Sequence, residues 1–191
     1  MSVSTVDTHV GAPSEERIGV LPWAALVVSL AALGGSIFLS LGLNLKACPL
    51  CFYQRTFVMS LVAVLGTSLV LHGGRGIRIG LLALPLATAG LGVALFHEFL
   101  ELKGTLECPL GVFGVGTAPQ QSLAMFVVVF AILAVDVLRR AAVWPAFPGT
   151  LLIGGLLAVA SCTTNPPMPA PPTQPYPSAP EICRPPYHAP S

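Results

Sequence analysis

Long hydrophobic runs dominate the chain and predict helices that cross a membrane. A membrane-spanning helix needs about 20 consecutive, mostly apolar residues. Four runs meet or approach that length, and they cover residues 18–45, 49–71, 79–100 and 122–138. The second run contains a single charge, Arg55, and the third contains Pro85, which membrane helices tolerate. The pattern predicts an all-α membrane protein built on a four-helix transmembrane bundle.

A fifth apolar run covers residues 141–161 and has a less regular start. Pro145 and Pro148 interrupt its beginning, but proline is tolerated in the first turn of a helix, and the run contains no charge. We therefore expect a fifth, C-terminal span here. Residues 162–191 are rich in proline and are expected to form an extended, disordered tail.

Composition agrees with a membrane protein and excludes one class of partner. The 191 residues are 54% hydrophobic and 9% charged, whereas a soluble domain carries about 25% charged residues. The net charge is +1 and no basic patch is present, so we expect no nucleic-acid partner. Residues 1–17 contain acidic side chains and no apolar core. We therefore expect them to be a tail rather than a cleaved signal peptide.

Lysine and arginine favour one side of the predicted bundle. With five spans, one face receives Arg17, Arg75, Arg78, Arg139 and Arg140, and the opposite face receives Lys46, Lys103 and Arg184. Positive residues mark the cytoplasmic side of a membrane protein. The tail formed by residues 1–17 is thus predicted to be cytoplasmic, residues 18–140 form the four-span bundle, and the tail after residue 161 is periplasmic. All five cysteines then face the oxidising side.

A Cys-x-x-Cys pair, Cys48 and Cys51, opens the second apolar run. The first turn of a helix presents unpaired N–H groups and a positive dipole end, which favour a thiolate. Such a pair indicates redox chemistry. An inert disulfide or half of a metal site are the alternatives. Zinc would need two more soft ligands at compact spacing, and none follows, so we expect no metal site.

Two further polar side chains lie close to the predicted level of this pair. Arg55 lies one helical turn after Cys51, and a guanidinium in an apolar span is costly enough to indicate a function. Alternatively, Arg55 extends its charged head back to the membrane interface. His97 ends the third run at the predicted depth of Cys48, where it could contact a bound ligand or move a proton, or could be only an interfacial polar residue.

The other three cysteines are dispersed along the chain. Cys108 lies in a glycine-rich loop that could move its sulfur towards the Cys48–Cys51 pair, or it could be a lone thiol or part of a static disulfide to the tail. Cys162 follows Val-Ala-Ser, which looks like a lipoprotein processing site but stands near the end of the chain. Five cysteines is an odd number, so at least one is unpaired or modified.

Residues 48–55, Cys-Pro-Leu-Cys-Phe-Tyr-Gln-Arg, resemble the signature of the disulfide bond formation protein B (DsbB) family. The resemblance covers residues 18–140 and implies a four-helix membrane bundle in the bacterial inner membrane, with its redox cysteines on the periplasmic face. The implied activity is electron transfer from a periplasmic thioredoxin-like, DsbA-like thiol oxidase to a membrane quinone, either ubiquinone or menaquinone.

The resemblance also implies roles for individual residues. Cys51 would lie next to the quinone and Cys48 would exchange with a loop disulfide that includes Cys108. Arg55 and His97 would bind the quinone. The family has two cysteines in its second outer loop and this chain has one. We expect a tail cysteine to supply the missing sulfur, and Cys183, on its long tether, is favoured over Cys162.

Two other classes of protein remain open from the sequence. A vitamin K epoxide reductase-type enzyme carries its Cys-x-x-Cys late in its bundle, whereas here the motif opens the second span. A non-enzymatic membrane scaffold with a structural disulfide is the other possibility. Quinone reduction would separate an enzyme from a scaffold.

Overall fold

Five α-helices form most of the computed structural model, which describes residues 19–72, 79–139, 145–167 and 169–187. They are α1 (Val20–Leu41), α2 (Pro49–His72), α3 (Ile79–Leu102), α4 (Ala118–Leu138) and α5 (Phe147–Thr163), with a 3-10 turn at Val112–Gly114 between α3 and α4. The first four helices are long and apolar enough to cross a membrane. The predicted helical membrane bundle is confirmed.

Helices α1 to α4 close into a ring in chain order. Helix α1 packs against α2 and α4, and α3 completes the ring by packing against the same two helices. Leucines one turn apart on α2 fill the centre, and they meet small residues of α3. The fully buried set includes Leu61, Leu65, Leu69, Ala83 and Ala87. Many large apolar side chains instead point out of the bundle, as expected for a surface that faces lipid.

Helix α4 begins earlier than the hydrophobic pattern predicts. The fourth apolar run begins at residue 122, but the helix starts at Ala118. Pro119 stands in the first turn, where its missing N–H costs nothing, and the Gln120 side chain accepts a hydrogen bond from the Thr117 N–H at 3.2 Å. Local capping therefore extends the helix through polar residues.

Helix α5 packs alongside α3 and runs in the same direction. Gly154 lies against Thr88 and the Pro85 carbonyl, and Ala158 lies against Gly92 one turn further along both helices. The end of α5 therefore lies at the end of the bundle where α3 finishes. The expected span over residues 141–161 becomes a 17-residue helix that starts at Phe147. At about 1.5 Å per residue, this helix is about 26 Å long.

The tail differs from the disordered segment that the sequence predicted. Residues 164–167 and 169–187 form no helix, and they fold back over the end of the bundle. Glu107 and Arg184 exchange two backbone hydrogen bonds of 2.7 and 3.0 Å, and the Lys46 N–H donates to the Glu181 carbonyl at 2.8 Å. These contacts hold a proline-rich segment that would otherwise lack a partner.

The predicted orientation depends mainly on arginines outside the part of the chain that the structure describes. Arg17, Arg75, Arg78 and Arg140 lie outside the described residues. The cytoplasmic position of the N-terminal tail therefore stays a prediction from the sequence.

Candidate active site

Cys48 and Cys51 lie together at the start of α2. Pro49 begins the helix, so Cys48 directly precedes it and Cys51 is in its first turn. The two sulfurs are 2.8 Å apart, and the Cys51 N–H donates to the Cys48 sulfur at 3.2 Å. The hydrogen bond to the Cys51 side chain is the main cause that lowers the pKa of Cys48 from 9.0 to about 5, with burial opposing it and His97 assisting. Cys48 is therefore a thiolate at neutral pH.

His97 lies between two cysteines. Its ring is fully buried, and its Nε2 is 3.8 Å from the Cys48 sulfur and 3.6 Å from the Cys108 sulfur. His97 thus lies beside Cys48, at the depth that the sequence predicted. Its expected part in quinone binding stays a prediction.

Gln54 and Ser122 orient the His97 ring, and the sequence analysis assigned neither of them a role. The Ser122 hydroxyl donates to Gln54 Oε1 at 2.8 Å, which leaves the Gln54 amide nitrogen facing His97 Nδ1 at 3.4 Å. Because an amide nitrogen can only donate, Nδ1 accepts and Nε2 carries the proton of neutral His97. That proton points towards Cys48 and Cys108. The signal available in the sequence was a glutamine, Gln54, within an apolar run.

Cys108 forms a disulfide with Cys183, the pairing that the sequence favoured. Cys162 is a free thiol at the end of α5. The neighbours of the two bonded cysteines reinforce the disulfide, since Arg184 donates to the Glu107 carboxylate at 3.2 Å and its guanidinium lies 3.6 Å from the centre of the Tyr176 ring. The disulfide joins the loop after α3 to the tail.

Arg55 binds two serines near the end of α1. Its Nε donates to Ser36 Oγ at 3.0 Å, and its Nη2 donates to the Ser36 carbonyl at 3.0 Å and to Ser40 Oγ at 2.6 Å. Three of its five N–H groups are therefore used within the bundle, and the two on Nη1 have no partner among the residues that the structure describes. This network fixes the charge one turn below Cys51.

A cavity of about 730 Å³ lies between α1, α2 and α4. Cys51, Gln54 and Arg55 line one wall, and Cys183 reaches its outer edge. Most of the remaining lining residues are apolar, among them Phe38, Val58, Met125, Phe126 and Val129. His97 is not among the described residues that line it. An apolar cavity with a few polar groups on one wall is suited to a small lipid-soluble ligand.

The same end of the bundle also brings metal-ligating atoms together. One ligand atom each from Cys48, Cys51, His97 and Cys183 lies within 4.8 Å of the others. The sequence predicted no metal site because it considered only compact spacing. The structure assembles this group from two helices, the residue that precedes one of them, and the tail.

Comparison with known proteins shows the family. Residues 19–127, more than half of the chain, match the family model described as "Disulfide bond formation protein DsbB". The chain belongs to the DsbB family. Cys48, Cys51, Arg55, His97 and Cys108 lie within the matched DsbB segment. Cys183 and α5 lie beyond it.

Several curated relatives are similar to this DsbB-family chain. It is 39% identical over 85 residues to the "Probable disulfide formation protein" of Deinococcus radiodurans, which is 44% of this chain and 53% of the relative. It is 32% identical over 108 residues to the Chlamydia trachomatis protein of the same name, covering 51% of this chain and 78% of the relative. It is also 32% identical over 124 residues to "Disulfide bond formation protein C" of Bacillus subtilis, covering 58% and 87%. No solved structure matches the chain.

Proposed function

We propose that this DsbB-family protein is a membrane thiol–disulfide oxidoreductase that reoxidises a periplasmic dithiol carrier and passes the electrons to a membrane quinone. One observation carries the proposal. Cys51 lies on the wall of the apolar cavity, and its sulfur is also within 4.8 Å of the sulfur of Cys183. The Cys51 side chain thus lies next to both the Cys108–Cys183 disulfide, here called the outer disulfide, and a cavity suited to a lipid-soluble ligand.

The cavity fits a quinone by size and chemistry. Its volume of about 730 Å³ lies inside the range of about 300–1,000 Å³ usual for ligand pockets. A quinone ring needs apolar walls and hydrogen-bond donors for its two carbonyl oxygens, and the free N–H groups of Arg55 supply such donors and a positive charge. Ubiquinone and menaquinone both meet this description. When bound, the quinone supplies an acceptor for two electrons and two protons.

The outer disulfide is where the carrier enters. Cys183 is partly exposed, whereas Cys108 is only 8% exposed, so the carrier's thiolate attacks the Cys183 sulfur and Cys108 leaves. The proton on His97 Nε2, 3.6 Å from Cys108, stabilises the departing thiolate. A thioredoxin-like, DsbA-like carrier suits this surface because it presents a reactive thiolate of its own.

The next exchange moves the electrons inward. The freed Cys108 thiolate attacks Cys48 of an oxidised Cys48–Cys51 pair, and Cys51 leaves towards the cavity. The carrier's second thiol then releases Cys183, which attacks Cys108 and regenerates the outer disulfide. The carrier has lost two electrons and two protons. Cys48 and Cys51 have gained the two electrons, Cys51 holds one of the protons, and the other is released because Cys48 stays a thiolate. The structure has a closed Cys108–Cys183 disulfide and unpaired Cys48 and Cys51. This arrangement is the one expected after the last of these exchanges.

Quinone reduction by the purified full-length protein in lipid nanodiscs tests the proposal. A reduced thioredoxin-like carrier and a short-chain quinone are supplied, and quinol formation is followed by absorbance. We expect turnover in the wild type and none in Cys51→Ser, with Cys162→Ser as a matched control that keeps its rate. Turnover in Cys51→Ser, or its absence in folded wild-type protein, would refute the proposal.

A further inference from the structure

The sulfurs and the imidazole at the outer end of the bundle have a second possible use. Cys48, Cys51, His97 and Cys183 each offer one ligand atom, and these atoms lie within 4.8 Å of one another. Three sulfurs and one imidazole nitrogen are a common ligand set for Zn²⁺, which binds four such groups tetrahedrally.

The distances are close to those that zinc requires. With Zn–S near 2.3 Å and Zn–N near 2.0–2.1 Å, neighbouring ligand atoms in a tetrahedron of three sulfurs and one nitrogen lie about 3.5–3.8 Å apart. The Cys48 sulfur is 3.8 Å from His97 Nε2, and it is 2.8 Å from the Cys51 sulfur. Binding therefore requires the two thiols to separate by about 1 Å. Cys51, in the first turn of α2, can accommodate this by a change of rotamer.

The surroundings of His97 also suit a metal ligand. A ring that binds metal through Nε2 carries its proton on Nδ1 and needs an acceptor there. Gln54 lies 3.4 Å from Nδ1, and turning its amide presents Oε1 to that proton. The Ser122 hydroxyl, now 2.8 Å from Oε1, can then accept from the amide nitrogen.

We propose that the fully reduced protein binds one Zn²⁺ through Cys48, Cys51, His97 and Cys183. Cys183 is in a disulfide in the structure, so the site is complete only after a dithiol delivers two electrons and two protons to Cys108–Cys183. Zinc then displaces the protons that the three sulfurs still carry, and it keeps its oxidation state. The redox state of the outer disulfide thus controls metal binding.

Metal binding by the full-length protein in detergent tests this site. The protein is reduced with a phosphine, desalted without oxygen and given Zn²⁺. We expect one retained zinc per chain, and at least about ten-fold weaker binding when the outer disulfide is left closed. Substitution with Co²⁺ should give a tetrahedral spectrum with a thiolate charge-transfer band whose intensity corresponds to three sulfurs.

Three cysteine variants identify the ligands. Cys183→Ser should lose at least about ten-fold in affinity and one third of the charge-transfer intensity. Cys108→Ser should keep the site and no longer need reduction of the outer disulfide. Cys162 is a free thiol outside the group of four ligands, so Cys162→Ser should bind zinc as tightly as the wild type does. Failure of the reduced wild type to retain metal, or equal binding by Cys183→Ser and Cys162→Ser, would overturn the assignment.

Inhibition is a separate consequence that rests on the proposed function. Zinc would occupy the sulfurs that exchange electrons, so it should slow quinone reduction when the carrier keeps the outer disulfide reduced. The binding assay contains neither quinone nor carrier. A protein that binds zinc but never reduces quinone would refute the proposed function and leave the metal site standing.

Discussion

At the scale of single residues, the surroundings of Cys48 strongly increase the acidity of its thiol. Hydrogen bonding to Cys51 lowers its pKa to about 5 from 9.0, against the effect of burial. Because the folded pKa is the lower one, ionisation of Cys48 stabilises the folded protein fully above about pH 9, and this contribution is lost as pH falls towards 5.

The first prediction concerns the reactivity of this thiolate. Alkylation of Cys48 by iodoacetamide, followed on its peptide by mass spectrometry, should be nearly independent of pH above neutrality and should halve near pH 5. In Cys51→Ala the main cause of the low pKa is removed, so the midpoint should move up towards 9.0. A wild-type rate that already falls between pH 9 and pH 7 would contradict the assignment.

Arg55 gives a second prediction at this scale. Arg55→Met removes the charge and the Nη1 donors that we propose bind the quinone. The KM for quinone should therefore rise by about ten-fold or more, as expected for loss of a charged hydrogen bond of about 1.5–3 kcal/mol. Arg55→Lys keeps the charge without the planar fork and should recover only part of the affinity. An unchanged KM in Arg55→Met would limit Arg55 to a structural role.

Local sequence was sufficient to predict where some of these residues lie in the site, and it was insufficient for others. Cys51 and Arg55 lie on neighbouring turns of one helix and Cys48 directly precedes it, so spacing alone brought them together. The position of His97 between two sulfurs depends on how α3 is rotated against α2, which a uniformly apolar sequence does not specify. Gln54 was visible as a polar residue in an apolar run, but its partners come from other helices.

At the scale of elements, α5 is held by close contact of small residues with α3. The sequence predicted an apolar segment here but not its neighbour, because exposed and buried faces of a membrane helix are both apolar. The buried face consists of Thr150, Gly154, Ala158 and Ser161, one turn apart. Larger apolar residues, including Leu152, Ile153 and Leu156, cover the opposite side. Packing of small residues, rather than hydrophobicity, selects the face that binds α3.

Two adjacent glycines test this packing directly. A Cβ at Gly154 would meet Thr88 and the Pro85 carbonyl at 2.5 and 2.6 Å, whereas a Cβ at Gly155 would meet nothing within 4 Å. Gly154→Ala should destabilise the protein by about 1–3 kcal/mol. Gly155→Ala should be neutral or slightly stabilising. Thermal unfolding in detergent measures both, and equal melting temperatures would show that α5 does not pack as described.

At the scale of the whole molecule, the redox groups all lie at one end of the bundle. The beginning of α2, the ends of α3 and α5, and the tail meet there, and Tyr53 of α2 lies 3.4 Å from Thr164 just after α5. The sequence predicted that all five cysteines lie on one face, because successive spans alternate in direction. It could not anticipate the folded tail, because the contacts that hold it join residues far apart in the chain.

The side of the membrane that this end faces is the fourth prediction. After reduction, a membrane-impermeant maleimide added to intact spheroplasts should label Cys183, because we expect the end that carries the disulfide to be periplasmic. A Ser4→Cys variant with Cys183 replaced by serine serves as the control, and its new thiol should react only after lysis. Labelling of Cys183 that requires lysis would reverse the orientation.

The outer disulfide closes a covalent ring whose ends are 75 residues apart in sequence and which encloses α4 and α5. In the proposed cycle this ring opens and closes at every turnover. Closing a free chain of that length would require a slow conformational search. Here Glu107 and Arg184, each next to one of the bonded cysteines, keep two backbone hydrogen bonds that do not depend on the sulfurs. Reclosure is then a local event at high effective concentration. In the proposed cycle the tail therefore stays beside the loop that carries Cys108, although the two segments are distant in sequence.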